Sequence, residues 1–260
     1  MKDFILSILP KNVIKKLKSL RKRRNEKIYA GDDVLCPICN SSYREFSPAG
    51  LSKRKNARCH NCDSLERHRL MYVYLKDEVK LFDERSGSLR LLHFAPEDFF
   101  YELLSNINSI NYTPCDLYPE LFEFEGKTKV AKVDITNIPF EDESFDFILC
   151  SHVLEHIPDD HLAMKELYRV MAKNGSGIFQ VPLDTDRMET YEDWSITTPK
   201  EREKAFGQVD HVRCYGQDYA DRLRKVGFTV NVIDYPSNFT SEDIFKYGFM
   251  ESEKIYHVSK

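Results

Sequence analysis

Four cysteines occur in two closely spaced pairs. Cys36 and Cys39 form one Cys-x-x-Cys, and Cys59 and Cys62 form a second one 19 residues further on. Each pair can place two thiolates on one side of a tight turn, and four thiolates complete a closed tetrahedron around zinc. The spacing therefore predicts a structural zinc site with no open position for a substrate. His60 within the second pair is an alternative ligand, and four buried cysteines without metal are the other interpretation.

Residues 34–64, which hold both pairs, resemble a zinc ribbon. The next segment, 64–75, is predicted to be a helix with Ser64 or Asp63 as its N-cap. A ribbon of this size buries little apolar surface. We therefore expect the helix to dock the ribbon on a larger domain.

The remainder of the chain alternates predicted strands and helices. Strands are predicted at 89–94, 111–115, 129–133, 145–151, from 175, at 228–234 and at 254–258. Helices are predicted at 97–106, 160–171 and 217–225. Such alternation is typical of a parallel sheet covered by helices. The predicted fold class is therefore α/β, with a Rossmann-like sheet of seven strands whose last pair includes an antiparallel strand.

Several segments of this domain carry a recognisable pattern. The runs VDITNIPF and FDFILCSHVLEHI, the helix end ELYRVMAKNG, and the late segments DHVRCYG and VGF follow one another between positions 133 and 228. Together they resemble class I S-adenosylmethionine-dependent methyltransferases, in particular the small-molecule, type 11-like branch. The resemblance covers about residues 89–260.

The resemblance assigns roles to the strand ends. It implies that Asp116, with Leu117, accepts the ribose hydroxyls of the cofactor, and that Asp134, with Ile135, meets the adenine amino group. Ser151 ends the fourth strand beside them. In an open parallel sheet, ligands bind outside the carboxyl ends of the strands, where the strand order reverses. The alternative for each aspartate is an ordinary solvated turn.

The first strand departs from the family pattern. The family normally has an acidic residue and a Gly-x-Gly loop there, whereas this chain has Ala95, Pro96 and Glu97; the chain contains only 10 glycines in 260 residues. Pro96 suits the first turn of a helix, and an acid suits its positive end. We expect Ala95 and Pro96 to line the turn and Glu97 to hold the cofactor's ammonium group. The alternative is that Glu97 caps the helix and the pocket is degenerate.

Histidines are the candidate bases. Methyl transfer is an in-line displacement that needs alignment, and it needs a base when the acceptor carries a proton. We favour His152 and His211 as catalytic residues because they flank the same predicted cleft. Glu155 and His156 with His152 would form a metal site on a helix, but this segment is predicted to be a strand-to-helix turn.

The first 30 residues differ in charge from the rest of the chain. They hold ten Lys or Arg and two acidic residues, or +8, which leaves -12 for the remainder of a chain of net charge -4. Apolar residues at 13, 14, 17 and 20 share one face of a predicted helix. An apolar stripe opposite a cationic face is typical of a helix on an anionic membrane surface. The alternatives are a basic arm packed on the body and, with less support, nucleic-acid contact.

Three regions are therefore predicted: a basic amphipathic segment at 1–30, a zinc-ribbon-like module with its helix at 31–80, and a methyltransferase-like domain at 81–260. Seven cysteines without a disulfide framework indicate a reducing compartment. We expect a cytoplasmic methyltransferase, peripheral to the inner membrane surface through residues 1–27, with a small-molecule or a lipid- or sugar-linked acceptor. The alternatives are an RNA-modifying enzyme that uses the ribbon and the basic segment, and a non-catalytic binding protein of the same fold.

Overall fold

The computed structural model describes residues 11–50, 53–83, 87–122, 124 and 128–260. The chain divides into two compact units. The smaller unit comprises the chain up to Leu81 together with Asp234–Glu253, and the larger unit comprises Phe82–Ile233 together with Lys254–Lys260. Residues 234–253, predicted from sequence to be part of the main domain, belong to the smaller unit.

The smaller unit begins with a long helix and two short hairpins. Its elements are α1 (Lys11–Ile28), β1 (Val34–Leu35), β2 (Ser42–Tyr43), β3 (Ser47–Ala49), β4 (Arg54–Arg58) and α2 (Glu66–Asp77). β1 pairs with β2 and β3 pairs with β4, both antiparallel. Strands this short bury few side chains, and around the cysteines they form a small buried cluster of Val34, Cys36, Tyr43, Phe46 and Cys59.

The helix α1 contains part of the predicted amphipathic segment. Residues 1–10 of that segment lie outside the described residues. Within α1, the side chains of Val13, Leu17 and Leu20 are exposed to solvent. No helix in the described part of the chain is both long enough and apolar enough to span a membrane.

The larger unit is built on one seven-stranded sheet. Its strands are β5 (Leu89–Phe94), β6 (Ile110–Asp116), β7 (Ala131–Lys132), β8 (Phe145–Ser151), β9 (Met171–Gln180), β12 (Thr229–Ile233) and β13 (Ile255–Ser259). The order across the sheet is β12-β13-β9-β8-β5-β6-β7. β13 pairs antiparallel with both neighbours, and the other pairs from β9 to β7 are parallel. The predicted α/β class and seven-stranded sheet are therefore confirmed.

The central strands are apolar because they are covered on both sides. All but one residue of β8 are buried, as expected of an inner strand in a parallel sheet. β9 approaches β8 closely at Gly177, where an added Cβ would lie 2.4 Å from the carbonyl oxygen of Ile148. Any larger residue at position 177 would push the two strands apart.

Helices flank the sheet, and most have a recognisable start. They are α3 (Asp98–Leu104), α4 (Asp160–Val170), α5 (Pro199–Phe206) and α6 (Tyr219–Val226). The carboxylate of Asp159 caps α4 by accepting from the amide of Leu162 at 2.9 Å. The apolar side of α4, including Ala163 and Leu167, joins the core of the sheet.

The segment between β9 and β11 is a long insert. It contains β10 (Tyr191–Glu192) and α5, and β10 pairs antiparallel with β11 (Arg213–Cys214). Thr198 and Glu201 form a reciprocal capping box at the start of α5. Sequence analysis did not predict this helix. The Thr-Pro-x-Glu pattern at its start, Thr198 to Glu201, is the signal that would have revealed it.

The chain returns to the smaller unit between β12 and β13. This segment contains a short 3₁₀ helix (Tyr235–Asn238) and α7 (Ser241–Tyr247). The buried guanidinium of Arg69, on α2, donates to the carbonyl oxygens of Tyr247 and Gly248, both at 2.6 Å. Arg69 also donates to the carbonyls of Ala57 and Ser64. One side chain therefore ties together three separate stretches of the smaller unit.

Candidate functional site

The turn after β5 has the backbone shape that glycine usually provides. Ala95 has a φ of 48°, in the left-handed region, and its amide donates to the carbonyl of Cys115 at 3.0 Å. A left-handed conformation costs a residue with a side chain about 1–2 kcal/mol. Pro96 follows and is buried. The chain thus makes a sharp turn without glycine, at the cost of some backbone strain at Ala95.

A buried histidine supports this turn from within β5. His93 is fully buried, with Nδ1 at 2.9 Å from the hydroxyl of Tyr112 and Nε2 at 3.2 Å from the carboxylate of Glu97. Burial raises the pKa of Tyr112, so the phenol stays protonated. Glu97 occupies the N-cap position of α3 but makes no side-chain cap hydrogen bond. Sequence analysis missed His93, although a lone polar residue in an apolar strand was a visible signal.

Two aspartates lie at neighbouring strand ends. Asp116 ends β6, and Asp134 lies two residues beyond β7. The amide of Val133 donates to the carbonyl of Asp116 at 2.9 Å, which joins the two strand ends. Oδ1 of Asp116 accepts from the amide of Tyr118 at 2.8 Å, and Oδ1 of Asp134 accepts from Thr136. Both aspartates thus stabilise local turns.

The surroundings of these aspartates differ. Asp116 is partly buried, and burial raises the pKa of its carboxyl. The side chain of Leu117 is exposed, whereas that of Ile135 belongs to the buried core. Among the predicted cofactor residues, Leu117 is therefore open to solvent and Ile135 is covered by protein.

β8 ends in a second left-handed residue. Ser151 is buried at the strand end, and His152 follows with a φ of 56°. The amide of His152 donates to the carbonyl of Gln180 at 2.8 Å. A short 3₁₀ helix, Leu154–His156, comes next. The predicted strand-to-helix turn is present here, and its helix is a single 3₁₀ turn.

Glu155 lies at the centre of a histidine cluster. Its carboxylate is almost fully buried, and Oε1 lies 3.4 Å from Nδ1 of His152 and 4.0 Å from Nε2 of both His156 and His211. The rings of His156 and His211 are nearly perpendicular, with centroids 4.8 Å apart. Burial lowers the pKa of His211. The fold thus brings His152 and His211, the two predicted bases, to the same carboxylate.

Arg213 fixes the loop that carries His211. Its buried guanidinium donates to the carbonyls of Leu154, Ile157 and Pro158 and to the carboxylate of Glu192 at 2.8 Å. The side chain of Arg213 therefore fixes the loop of His211 against the main-chain carbonyls of the turn that follows β8.

The four predicted metal-binding cysteines converge in the smaller unit. The sulfur atoms of Cys36 and Cys62 are 3.6 Å apart, as are those of Cys39 and Cys59, and all four lie within 4.8 Å of one another. A tetrahedron with Zn–S bonds of about 2.3 Å has edges of about 3.8 Å. Hydrogen bonds from neighbouring thiols, Cys36 first, lower the pKa of Cys39. The arrangement fits a four-thiolate zinc site.

The histidine within the second cysteine pair has other contacts. The ring of His60 stacks on Tyr29, with centroids 4.1 Å apart. Its Nδ1 lies 3.0 Å from the hydroxyl of Ser47, and its Nε2 lies 3.0 Å from the carbonyl oxygen of Glu45. His60 therefore packs beside the cysteine cluster as a structural residue.

The larger unit has the class I methyltransferase fold, given its strand order and its antiparallel β13. Residues 97–179 match the family model described as a methyltransferase domain. This match agrees with the predicted methyltransferase domain over residues 97–179. The match extends from the start of α3 into β9 and so includes the ends of β6 and β8.

Curated relatives match a similar part of the chain. It is 29% identical over 132 residues to a demethylmenaquinone methyltransferase of Staphylococcus epidermidis, covering 47% of this chain and 53% of the relative. It is 26% identical over 133 residues to a sterol 24-C-methyltransferase of Schizosaccharomyces pombe, covering 48% and 32%. An uncharacterised protein of Methanocaldococcus jannaschii is 33% identical over 122 residues, covering 45% and 52%. The chain spans about half the length, or less, of these relatives.

Solved structures with a similar fold include two S-adenosylmethionine-dependent methyltransferases. The structure from Mesorhizobium loti has a TM-score of 0.49 and 14% identity, covering 74% of this chain and 100% of that one. The structure from Archaeoglobus fulgidus has a TM-score of 0.49 and 17% identity, covering 74% and 93%.

Proposed function

We propose that the protein is an S-adenosylmethionine-dependent methyltransferase with a small-molecule or a lipid- or sugar-linked acceptor. The observation that carries the proposal is that the turns after β5, β6 and β8 lie at the same edge of the sheet. β5 pairs in parallel with β6 on one side and with β8 on the other. Its carboxyl end is thus the point where strand order reverses, which is where open α/β sheets bind ligands.

The residues at this edge suit the cofactor's chemistry. Ribose hydroxyls and an ammonium group are hydrogen-bond donors, and Asp116 and Glu97 supply carboxylate acceptors. Asp134 would meet the adenine amino group, with Leu117, Ile135 and Ser151 beside the ring and Ala95 and Pro96 forming the turn. When bound, S-adenosylmethionine supplies an electrophilic methyl group. Glu97 is held by His93 at 3.2 Å, so its carboxylate has a fixed direction.

His152 and His211 would act on the acceptor. A neutral imidazole at the end of β8 takes a proton from an acceptor hydroxyl or amine during methyl transfer. The carboxylate of Glu155, 3.4 Å from Nδ1 of His152, would stabilise the resulting positive charge. The backbone bond from His152 to Gln180 holds the ring at the strand end.

The relatives and α1 support the choice of acceptor class. The relatives named for demethylmenaquinone and for a sterol favour a small molecule of lipid type. The exposed apolar residues of α1, among its lysines and arginines, support peripheral contact of residues 1–27 with an anionic membrane surface. The enzyme would then meet a lipid-linked acceptor at the cytoplasmic face.

The four cysteines would hold a structural zinc ion. Their sulfur spacing supports a closed tetrahedral site, and the apolar cluster beside them is small, so a bound metal would add to the stability of the surrounding module at 31–80. Zinc would therefore organise the ribbon and take no part in methyl transfer.

Isothermal titration calorimetry with S-adenosylmethionine tests the cofactor assignment. We expect the wild type to bind, and Asp116→Ala and Glu97→Ala to bind at least about tenfold more weakly, which corresponds to the loss of one charge-assisted hydrogen bond. Asp221→Ala, at an exposed position on α6, is the matched control and should bind normally. A wild type that does not bind would overturn the proposal in favour of a non-catalytic protein. Normal binding by both variants would overturn only the pocket assignment.

A further inference from the structure

The cluster around Glu155 contains a set of atoms that could bind a metal ion. Glu155, His156 and His211 each offer one ligand atom, and these atoms all lie within 4.8 Å of one another. We propose that these three residues bind a divalent transition-metal ion at the end of β8. The proposal rests on these side chains and their neighbours, and a metal on Nε2 of His211 would leave His152 as the base of the proposed methyl transfer.

Both histidines present the same nitrogen to the centre of the cluster. Nδ1 of His211 lies 3.1 Å from the carbonyl oxygen of Phe206, to which it can only donate. Nδ1 of His156 lies 3.4 Å from the carboxylate of Asp210. A proton on each Nδ1 leaves a lone pair on each Nε2, and both Nε2 atoms lie 4.0 Å from Oε1 of Glu155. Metal-binding histidines are oriented in this manner, with the second nitrogen donating to a carboxylate or a carbonyl.

The atoms facing the centre have unmet hydrogen-bonding capacity. Among the described residues, Nε2 of His211 and Oε2 of Glu155 have no hydrogen-bond partner, although the two side chains are 3% and 1% exposed. An unpaired buried polar atom costs about 1–3 kcal/mol. A cation between the two would satisfy both, since a carboxylate oxygen and an imidazole lone pair each donate electrons to a metal.

Neighbouring contacts hold the ligands in place. The amide of Val212 donates to the carbonyl of Glu155 at 3.0 Å, which ties the His211 loop to the 3₁₀ turn. His152 lies 3.4 Å from Oε1 of Glu155 and would hydrogen-bond the ligating carboxylate from outside the metal shell. His156 is only partly buried, which leaves a path from solvent. Ligands about 4–5 Å apart need to move inward by only about 1 Å to reach bonding distance of an ion.

The ligand types limit the choice of metal. Two imidazoles and one carboxylate suit zinc or a first-row ion such as iron(II), cobalt(II) or nickel(II), whereas calcium and magnesium prefer oxygen ligands alone. Three protein ligands also leave coordination positions for water or another oxygen or nitrogen donor. The site would thus be open, unlike the closed site of four cysteines.

Cobalt(II) can distinguish the two sites in the full-length chain. The protein is stripped with a chelator and titrated with cobalt(II) under reducing conditions, and bound metal is measured together with the absorption spectrum. We expect the wild type to bind two equivalents. The cysteine site gives a strong thiolate-to-cobalt charge-transfer band, and the Glu155 site adds only weak visible bands.

Substitutions identify the residues that bind the second equivalent of cobalt(II). Glu155→Gln and His211→Gln should bind one equivalent and retain the thiolate band, while His161→Gln, at an exposed position on α4, should bind two. Asp210→Asn, which loses only the outer carboxylate, should bind the second cobalt about 10–100-fold more weakly. Circular dichroism checks that each variant is folded. Uptake of a single equivalent by the wild type, or of two by folded Glu155→Gln, would overturn the proposal.

Discussion

The ring of His93 connects Tyr112 on β6 to Glu97 across the turn that follows β5, with ring nitrogens 2.9 Å and 3.2 Å from its two partners. The three side chains form a chain of hydrogen bonds that begins within the buried sheet and ends at the predicted cofactor edge. The direction of Glu97 therefore depends on a residue two strand positions before the turn, and on a tyrosine of the neighbouring strand.

Removing the hydroxyl of Tyr112 tests this chain. Tyr112→Phe leaves Nδ1 of the fully buried His93 without its partner, so we expect the free energy of unfolding to fall by about 1–3 kcal/mol. Urea denaturation followed by circular dichroism measures the change. Tyr118→Phe, at an exposed position, is the control and should be neutral. An equal effect in both variants would mean that the buried bond contributes nothing.

The left-handed turn at Ala95 predicts an unusual response to glycine. Ala95→Gly relieves a strained φ of 48°, and we expect the free energy of unfolding to stay the same or rise by up to about 1 kcal/mol. Ala220→Gly, the same chemical change within α6, should lower it by about 1 kcal/mol or more. Chemical denaturation of both variants gives the comparison. A large destabilisation by Ala95→Gly would contradict the strained turn.

Loss of one thiolate should release the metal from the smaller unit. Cys62→Ser removes a ligand at 3.6 Å from its neighbouring sulfur, so we expect the zinc content to fall by about one equivalent and the smaller unit to lose protection in hydrogen exchange. Cys214→Ser, which alters a single half-buried thiol far along the chain, is the matched control. Unchanged zinc content in Cys62→Ser would exclude it as a ligand.

Arg69 is expected to be essential for the smaller unit. Its guanidinium donates to four carbonyl oxygens and lies 4.2 Å from the ring centre of Phe46. Arg69→Met leaves those carbonyls buried without donors, and we expect a loss of about 3–5 kcal/mol. Arg58→Met, at a half-exposed position, should cost less than about 1 kcal/mol. Hydrogen exchange of α2 and α7 reports the difference.

Because His257 is partly buried, we expect the folded protein to lose stability in acid. Burial lowers the pKa of His257 on β13, so the unfolded chain binds its proton at a higher pH than the folded chain does. The resulting destabilisation is absent above the unfolded pKa of about 6.5 and grows as the pH falls below it. We expect His257→Gln to lose less stability than the wild type between pH 7 and pH 5. His161→Gln should follow the wild type, and a parallel decline in all three proteins would refute the assignment.

The sheet was predictable because its strands leave a strong local pattern. The run from Phe145 to Ser151 is apolar except for Asp146 and Ser151, and acids stand at the end of β6 and just after β7, where the strands end. β7 is only two residues long, so the predicted strand at 129–133 was too long. The length of a short strand depends on its pairing with neighbouring strands, so it cannot be predicted from its own residues.

The position of His211 beside Glu155 was much harder to predict from the sequence. His211 lies 4.0 Å from a carboxylate 56 positions earlier, and this proximity depends on Arg213 binding the carbonyls of the turn after β8. Helical spacing suggests a metal site that uses His152, whereas the fold brings His211 to Glu155 and His156. No local periodicity contains that information, because the loop between α5 and β11 positions the histidine.

The path of the chain through the two units affects how the protein is made. Residues 234–253 complete the smaller unit, and residues 254–260 complete the larger one. During synthesis, the carbonyls of Tyr247 and Gly248 reach Arg69 only after most of the chain has left the ribosome. The last segments of the two units are therefore adjacent in the sequence. Cleaving the chain after position 233 would therefore leave both units incomplete, and a two-fragment expression strategy would have to supply residues 234–260 to both at once.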